Sequence, residues 1–271
     1  MATCYRHPDR ETGVSCSNCE RPICPDCMTP TPVGMRCPEC AQERTKVRTG
    51  TSAFDRAGGT PATFVLIAVN VLAFLAEIAG GSGGLEPSGP VIRDFAVFGP
   101  AIADGEWYRI FTGAFLHGGL IHIGFNMYAL YILGQLLEPA FGAPRFVALY
   151  FASLFAGSLG IIVLEPETLA VGASGAVFGL FAAAFVIARG RRLEAIAAQL
   201  GGLLLINLLI TFAIPGIAIG AHLFGAAGGA LAGLLILAGD RGGLGVNRVP
   251  VEIAAMAVMG AVCAVVSVAI A

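Results

Sequence analysis

VGASGAVFG, residues 171–179, lies in a stretch as apolar as a membrane span, yet it carries Ser174 between small residues. The chain around it has 271 residues, of which 56% are hydrophobic and only 13% are charged. Its mean hydropathy is +0.79. Because soluble domains carry about 25% charged residues, this composition predicts an integral membrane protein. The fold then depends on how many helices surround Ser174 and which polar groups they bring to it.

The apolar part of the chain divides into seven candidate spans, each close to the roughly 20 residues that a bilayer requires. Backbone groups in lipid must be hydrogen-bonded within the protein, so we predict that every span is a helix. The predicted fold class is an all-α polytopic membrane helix bundle. The candidate spans are 62–79, 113–137, 146–164, 171–188, 195–214, 217–238 and 251–271.

The positive charges predict the direction in which these spans cross the membrane, since loops rich in Lys and Arg face the cytoplasm. With the N-terminus inside, only Arg93 and Arg109 lie outside. We therefore expect a multi-pass protein of the cell membrane with a cytoplasmic N-terminus and an extracellular C-terminus. The loops at 80–112 and 165–167 would face out. The inner cations are Arg44, Lys46, Arg48, Arg56, Arg145, Arg189, Arg191, Arg192, Arg241 and Arg248.

A cysteine-rich head precedes the spans. Seven of the eight cysteines fall in residues 4–40, in the repeats CYRH, CSNC, CPDC and CPEC, and only Cys263 lies elsewhere. Each pair offers two donors to one zinc ion, and two pairs complete a tetrahedral shell, so we predict two zinc ions. An odd number of cysteines in a reducing cytosol argues against disulfides. The predicted ligands are Cys4, His7, Cys16, Cys19, Cys24, Cys27, Cys37 and Cys40.

These features divide the chain into four parts. Residues 1–42 form the zinc-binding head, whose folding energy we expect the metal to supply because so short a segment buries little core. Residues 43–60 form a polar linker, 61–240 the core spans and 241–271 an additional C-terminal span. We expect no nucleic acid partner, and we leave open whether the head binds a protein partner, regulates the spans or is structural.

Polar side chains recur within the spans, where they are unfavourable and usually mark a functional site. Ser174 in span four and His222 in span six lie about four and five residues from the outer end, hence roughly 6–9 Å deep. His122 and Asn126 are four residues apart in the outer half of span two and so share a helix face. Each has a structural alternative, as a packing serine or an interhelical hydrogen-bonding group. Their common depth favours one functional site.

A serine and a histidine at one depth predict nucleophilic catalysis. A hydroxyl needs a base to remove its proton, and His222 can take that proton from Ser174. Since the sequence offers no carboxylate at this depth in spans two, four or six, we predict a dyad. The oxyanion of a tetrahedral intermediate requires donors, which His122, the Asn126 amide and the Ser174 backbone N–H can supply. The glycines that leave room for backbone and substrate are Gly172 and Gly175.

Four motifs cover the core spans, namely EWYRIFTGAFLH at 106–117, HIGFN at 122–126, GASG at 172–175 and AHLFGAAGG at 221–229. Together they resemble the motifs of the rhomboid intramembrane serine proteases. The resemblance implies a six-helix core with an extra seventh helix, Ser174 as nucleophile and His222 as base. It implies His122 and Asn126 as oxyanion donors. It also implies that transmembrane proteins in the lipid bilayer are cleaved near the extracellular side, with no metal in the chemistry.

The same resemblance assigns accessory roles to residues of the outer loop and span two. Trp107 and Arg109 belong to a loop that is expected to lie partly in the outer leaflet. His117 is expected to be a structural histidine rather than a catalytic one.

The contact between spans four and six is also described by the resemblance. Gly225 and Gly229 are expected to form the small face on which span six packs against span four. Phe178 occupies a position where many members carry a tyrosine stacked on the catalytic base. Phenylalanine would keep the stacking and lose the hydroxyl.

The head in turn resembles zinc modules of the B-box and RING type, in which ligand pairs interleave. On spacing alone, consecutive pairing stays an alternative. By the resemblance, one ion is held by Cys4, His7, Cys24 and Cys27, and the other by Cys16, Cys19, Cys37 and Cys40.

Three alternative functions fit less of the sequence. An inactive rhomboid-like scaffold predicts loss of Ser174 or His222, and both are present. A membrane adaptor or ligase that works through the zinc head leaves the intramembrane polar residues unexplained. A small transporter is expected to carry charged residues in its spans, where we expect only Glu77, at the edge of span one.

Overall fold

A computed structural model describes residues 2–31, 34–42, 59–81, 89–242 and 248–271. The chain forms two compact units, Met1–Arg56 and Ala57–Ala271, and each is treated by itself. The predicted linker at 43–60 lies outside the described residues except for its last two positions. The cations predicted there, Arg44, Lys46, Arg48 and Arg56, lie outside them as well.

The first unit is a small module of short strands and turns. Strand β1 pairs antiparallel with β2, and β3 pairs antiparallel with β4. Its buried residues are mainly cysteines together with Ile23. Hence sulfur rather than a hydrocarbon core fills the interior of the module. The elements are β1 (Ala2–Thr3), β2 (Glu11–Thr12), a 3-10 turn (Pro25–Cys27), β3 (Thr29–Thr31), β4 (Gly34–Arg36) and helix α1 (Pro38–Gln42).

The second unit is a helix bundle, and the predicted fold class is confirmed. Within the described residues, six helices are long and apolar enough to cross a membrane, and α8 is a shorter apolar helix of 17 residues. The helices are α2 (Pro61–Ala79), α3 (Pro90–Phe95), α4 (Gly99–Ala103), α5 (Arg109–Thr112), α6 (Leu120–Phe141), α7 (Ala143–Leu164), α8 (Ser174–Gly190), α9 (Glu194–Ala213), α10 (Ile219–Asp240) and α11 (Arg248–Ile270).

Two predicted spans begin later in the structure than in the sequence analysis. Span two was expected from 113, but α6 begins at Leu120, after a 3-10 turn at Gly113–Phe115. Span four was expected from 171, but α8 begins at Ser174. Gly172 has φ +125°, which a right-handed helix does not accept, so the helix cannot start before it. Ser174 is therefore the first residue of its helix rather than about four residues inside it.

Helices α8 and α10 meet backbone to backbone. A Cβ on Gly225 of α10 would overlap the carbonyl of Gly175, and a Cβ on Gly229 would overlap that of Gly179. Membrane helices lack a hydrophobic driving force for association, so close packing of small residues stabilises such pairs. The small face that was expected at Gly225 and Gly229 is thus where the two helices touch.

Buried carboxylates in the helices were underestimated from the sequence. The expectation that Glu77 is the only charged residue at a span is wrong, because Glu138 and Glu252 also lie in helices and are buried. Glu138 accepts hydrogen bonds from the backbone N–H of Ala62 at 2.9 Å and of Thr63 at 2.8 Å, which caps α2. Glu252 pairs with Arg145 at 3.1 Å and so ties α11 to α7.

Main-chain hydrogen bonds fix the segment that precedes Ser174. Val97 and Ala170 exchange two of them, at 3.0 and 2.9 Å, as an isolated antiparallel bridge. The N–H of Gly172 donates to the carbonyl of Gly113 at 3.0 Å. The loop before α8 is therefore held by the short helices of 90–115, and this sets the position of the serine.

Candidate active site

Ser174 occupies the N-terminal end of α8. The first helical hydrogen bond there runs from the Val177 N–H to the Ala173 carbonyl at 3.0 Å. The N–H groups before Val177 have no carbonyl within the helix to bind, and the helix dipole places partial positive charge at this end. Negative charge that develops beside Ser174 would therefore be stabilised.

His222 lies next to Ser174 across the contact between α8 and α10. Its Nε2 is 2.7 Å from the Ser174 hydroxyl oxygen, which is a hydrogen-bond distance. The ring of Phe178 stacks on the imidazole, with centroids 4.0 Å apart and an interplanar angle of 14°. The predicted pair thus meets in the structure, and the stacking expected of Phe178 is present.

The other imidazole nitrogen contacts a residue that the sequence analysis missed. The Nδ1 of His222 lies 2.6 Å from the hydroxyl of Thr211 on α9. Thr211 is buried, and its hydroxyl also lies 2.8 Å from the carbonyl of Asn207. The signal that would have found it is the depth argument already applied to Ser174, since Thr211 is a hydroxyl near the outer end of predicted span five.

His122 approaches the serine from α6. Its Nδ1 accepts the N–H of Gly118 at 3.0 Å, so the ring proton resides on Nε2. A Cβ on Gly172 would lie 2.8 Å from that Nε2, which shows how closely the imidazole packs against the loop before Ser174. Only glycine at 172 accepts both this contact and its positive φ. The His122 N–H is thereby aimed at the start of α8.

Asn126 lies one turn after His122 and is buried. Its Nδ2 donates one hydrogen to the His122 carbonyl at 3.0 Å. The amide carries a second hydrogen, which remains for another acceptor. Gly175, the other glycine expected to give room, lies next to the Ala221 carbonyl, where a Cβ would approach to 3.2 Å.

His117 lies beside His122, just before the start of α6. Its backbone N–H donates to Glu77 at 3.0 Å, and its Nδ1 lies 3.2 Å from the Phe115 carbonyl. The rings of His117 and His122 meet edge to face at 5.2 Å between centroids. His117 therefore connects α2 to the segment before α6, and its ring packs against that of His122.

The outer loop is organised around Arg109, which is only 5% exposed. Its guanidinium donates to the Glu106 carboxylate at 2.6 Å and to the Arg93 carbonyl at 2.7 Å. Trp107, by contrast, is 63% exposed. The loop thus buries its cation and presents an indole outward, which is the arrangement typical of a membrane interface.

A carboxylate caps the helix that carries His222. Glu165 accepts the N–H of Ile219 at 3.1 Å and of Gly220 at 3.4 Å, at the first two positions of α10. From the sequence alone, Glu165 is expected only to belong to an outer turn. Its carboxylate provides hydrogen-bond acceptors for N–H groups that a helix leaves unpaired at its start.

The head brings its eight predicted ligands together in two groups of four, each with donor atoms within 4.8 Å of one another. The grouping is the interleaved one, and all eight cysteines of the chain are free thiols. A tetrahedral site with Zn–S of about 2.3 Å separates two sulfurs by about 3.8 Å. Sγ of Cys19 lies 3.8 Å from that of Cys37. The groups are Cys4, His7, Cys24 and Cys27, and Cys16, Cys19, Cys37 and Cys40.

The electrostatics around Cys19 in the second group favour a thiolate ligand. The Arg21 side chain donates to Cys19 Sγ at 3.2 Å and lowers the pKa of that thiol. Thiolate is the form that binds a metal ion. The donor set, its burial and its spacing therefore fit two ions of a soft divalent metal.

Comparison with known proteins adds a family to this geometry. The Rhomboid domain matches residues 104–239. The chain is 36% identical over 171 residues to the rhomboid protease GluP of Bacillus subtilis (strain 168), which covers 62% of this chain and 33% of GluP. YdcA of the same strain is also named as a rhomboid protease. The chain is 37% identical to it over 139 residues, which are 49% of this chain and 69% of YdcA. RHOMBOID-like protein 5 of Arabidopsis thaliana is 40% identical over 102 residues, 36% of the chain and 33% of that protein.

Proposed function

Because the chain belongs to the rhomboid family, we propose that it is an intramembrane serine endopeptidase that cleaves transmembrane proteins near the outer face of the bilayer. Relatives named as proteases support proteolysis at the level of the family. The observation that carries the serine mechanism is the 2.7 Å hydrogen bond between Ser174 and His222, on two helices that touch through glycines.

The chemistry is acyl transfer to serine followed by hydrolysis. Ser174 Oγ attacks the scissile carbonyl carbon while its proton passes to His222 Nε2. The tetrahedral intermediate collapses when Nε2–H protonates the leaving amine, and the C–N bond breaks. Water then attacks the acyl-enzyme, with His222 again as the base, and Ser174 is released.

The oxyanion of this intermediate would be bound by three donors. The Ser174 backbone N–H belongs to the unpaired first turn of α8. His122 offers Nε2–H, and Asn126 offers its second amide hydrogen. Donors that are fixed before the reaction stabilise developing charge most effectively in a site that excludes water.

The substrate is a transmembrane segment that reaches Ser174 from the lipid and unwinds there. A helix hides its carbonyls, so we expect small or helix-breaking residues near the cut. A pocket beside Ser174 is lined by residues such as Gly113, Ala114 and Ala170, which are small enough to leave room for a substrate side chain.

The head would hold two zinc ions through its two groups of Cys and His ligands. Zinc there supplies folding energy rather than catalysis, because the module buries little apart from its cysteines. We leave a protein partner of the head unassigned.

The orientation follows from the arginines at the helix ends. Arg189 lies in the last turn of α8, Arg191 and Arg192 follow that helix, and Arg241 follows α10. The start of each of these helices lies on the side of Ser174 and His222. Under the positive-inside rule, the arginine side is cytoplasmic and the catalytic side is extracellular.

Ser174→Ala is expected to abolish labelling of the purified protein by a fluorophosphonate probe, because the attacking oxygen is removed. His222→Ala should slow labelling by about a thousandfold, since general base catalysis is lost. Gel fluorescence measures both rates. Ser267→Ala is the matched control, because that hydroxyl only donates to the Cys263 carbonyl of its own helix and should leave labelling unchanged. Labelling of Ser174→Ala at the wild-type rate would rule out the nucleophile.

His122→Ala is expected to lower kcat for a single-span substrate by about a hundredfold or more with little change in KM, since one oxyanion donor acts mainly in the transition state. Cleavage rates in proteoliposomes at varied substrate density give both constants. An unchanged kcat with a raised KM would instead assign His122 to substrate binding.

Purified protein is expected to contain two zinc ions per chain, and the double variant Cys4→Ser, His7→Ala should lose about half of the metal. Metal content by mass spectrometry tests this. Cys263→Ser, which alters a cysteine in α11, should retain both ions. Full zinc content in the double variant would reject the ligand set.

An epitope tag at the C-terminus is expected to be reached by antibody on intact cells, and a tag at the N-terminus only after permeabilisation. Flow cytometry of the two tagged proteins measures this, with equal staining after permeabilisation as the control. The reverse staining pattern would invert the proposed orientation.

A further inference from the structure

We propose that Thr211 is a positioning residue that extends the pair into a chain Ser174–His222–Thr211 and fixes the tautomer of the imidazole. This inference rests on the proposed function, since it concerns the base of the same reaction. The three residues come from three different helices, α8, α10 and α9. None of the motifs in the sequence includes Thr211.

The direction of each hydrogen bond follows from counting donors. The Thr211 hydroxyl has one hydrogen, and a carbonyl oxygen can only accept. Because that hydroxyl lies 2.8 Å from the Asn207 carbonyl, its hydrogen is directed there. With the hydroxyl hydrogen on the Asn207 carbonyl, the contact of 2.6 Å with His222 Nδ1 joins a lone pair of Thr211 to a proton on Nδ1.

This proton count determines what the other ring nitrogen does. A neutral imidazole with its proton on Nδ1 has a free lone pair on Nε2. That lone pair faces the Ser174 hydroxyl at 2.7 Å and is ready to accept its proton. In the opposite tautomer, Nε2 would carry the hydrogen, and the Thr211 hydroxyl would have to turn its own hydrogen from the Asn207 carbonyl to Nδ1.

Thr211 also fixes the orientation of the ring. Phe178 stacks flat on the imidazole, which restrains the plane of the ring. Stacking alone does not distinguish the two ring orientations that are related by a half-turn about the Cβ–Cγ bond. A half-turn would exchange Nδ1 for a carbon and would break the bond to Thr211. Since Thr211 is 2% exposed and His222 is 7% exposed, water does not readily replace the lost partner.

The role is electrostatic as well as geometric. When Ser174 transfers its proton to Nε2, the ring becomes a cation that still donates Nδ1–H to Thr211. No proton passes to Thr211, whose oxygen only accepts. A neutral hydroxyl stabilises the cation less than a carboxylate would, but hydrogen bonds to charged groups are stronger than neutral ones.

The test compares Thr211→Val with Thr211→Ser in proteoliposomes that contain a single-span substrate. Val removes the acceptor and retains the branched shape, whereas Ser retains the hydroxyl. We expect kcat to fall about tenfold or more in Thr211→Val with KM unchanged, and Thr211→Ser to keep most of the activity. Ser267→Ala, a buried hydroxyl bonded within α11, is the matched control and should keep wild-type kcat.

A spectroscopic measurement keeps the inference testable if Thr211→Val fails to fold. In wild-type protein labelled with 15N-histidine, the imidazole shifts of His222 report which nitrogen carries the proton, and His222→Ala assigns the signal among the four histidines of the chain. We expect the Nδ1-protonated tautomer. The Nε2-protonated tautomer, or wild-type kcat in Thr211→Val, would overturn the inference.

The two proposals fail in different ways. If Ser174→Ala is cleavage-deficient while Thr211→Val is as active as wild type, only the role of Thr211 is wrong. If Ser174→Ala cleaves like wild type, the serine mechanism is wrong, and the inference falls with it.

Discussion

The site depends on the distance between the backbones of α8 and α10. The two helices touch where Gly225 faces Gly175 and Gly229 faces Gly179, and any side chain there would separate them. A separation of even one methyl group would lengthen the 2.7 Å contact between Ser174 and His222 beyond hydrogen-bond range. Since lipid gives no hydrophobic reason for helices to associate, this packing of small residues is what holds Ser174 and His222 together.

The bilayer interior holds no water that could bind polar groups, so hydrogen bonds within the protein explain the polar side chains near the helix ends. Backbone N–H groups at the starts of two helices are bound by carboxylates: Glu138 caps α2 and Glu165 caps α10. Arg109 binds carbonyls of the outer loop in the same way. The bundle can therefore interrupt its helices near the site, because the interruptions are enclosed by protein rather than by lipid.

Hydropathy and residue type were sufficient to predict a bundle of apolar helices and to single out Ser174 and His222, because a polar group in an apolar run is conspicuous. Helix starts were less readable, since α8 begins only after the positive φ of Gly172. Thr211 escaped because a single threonine is unremarkable in a helix, although its position near the outer end of predicted span five matches the depth of Ser174. Glu138 escaped because span two was expected to end at 137, whereas α6 continues to Phe141. Glu252 lies inside predicted span 251–271, and its single charge is outweighed there by the apolar residues around it.

The length of α8 has a consequence for where the reaction occurs. Arg189, Arg191 and Arg192 lie at one end of this helix, and its 17 residues extend only about 25 Å, short of the roughly 30 Å of bilayer hydrocarbon. The length of this helix thus fixes the distance between Ser174 and the arginines at its other end. Under the proposed function, the level of the cut would be set by the number of residues between these arginines and Ser174, so one added helical turn would move the cut outward by about 5 Å.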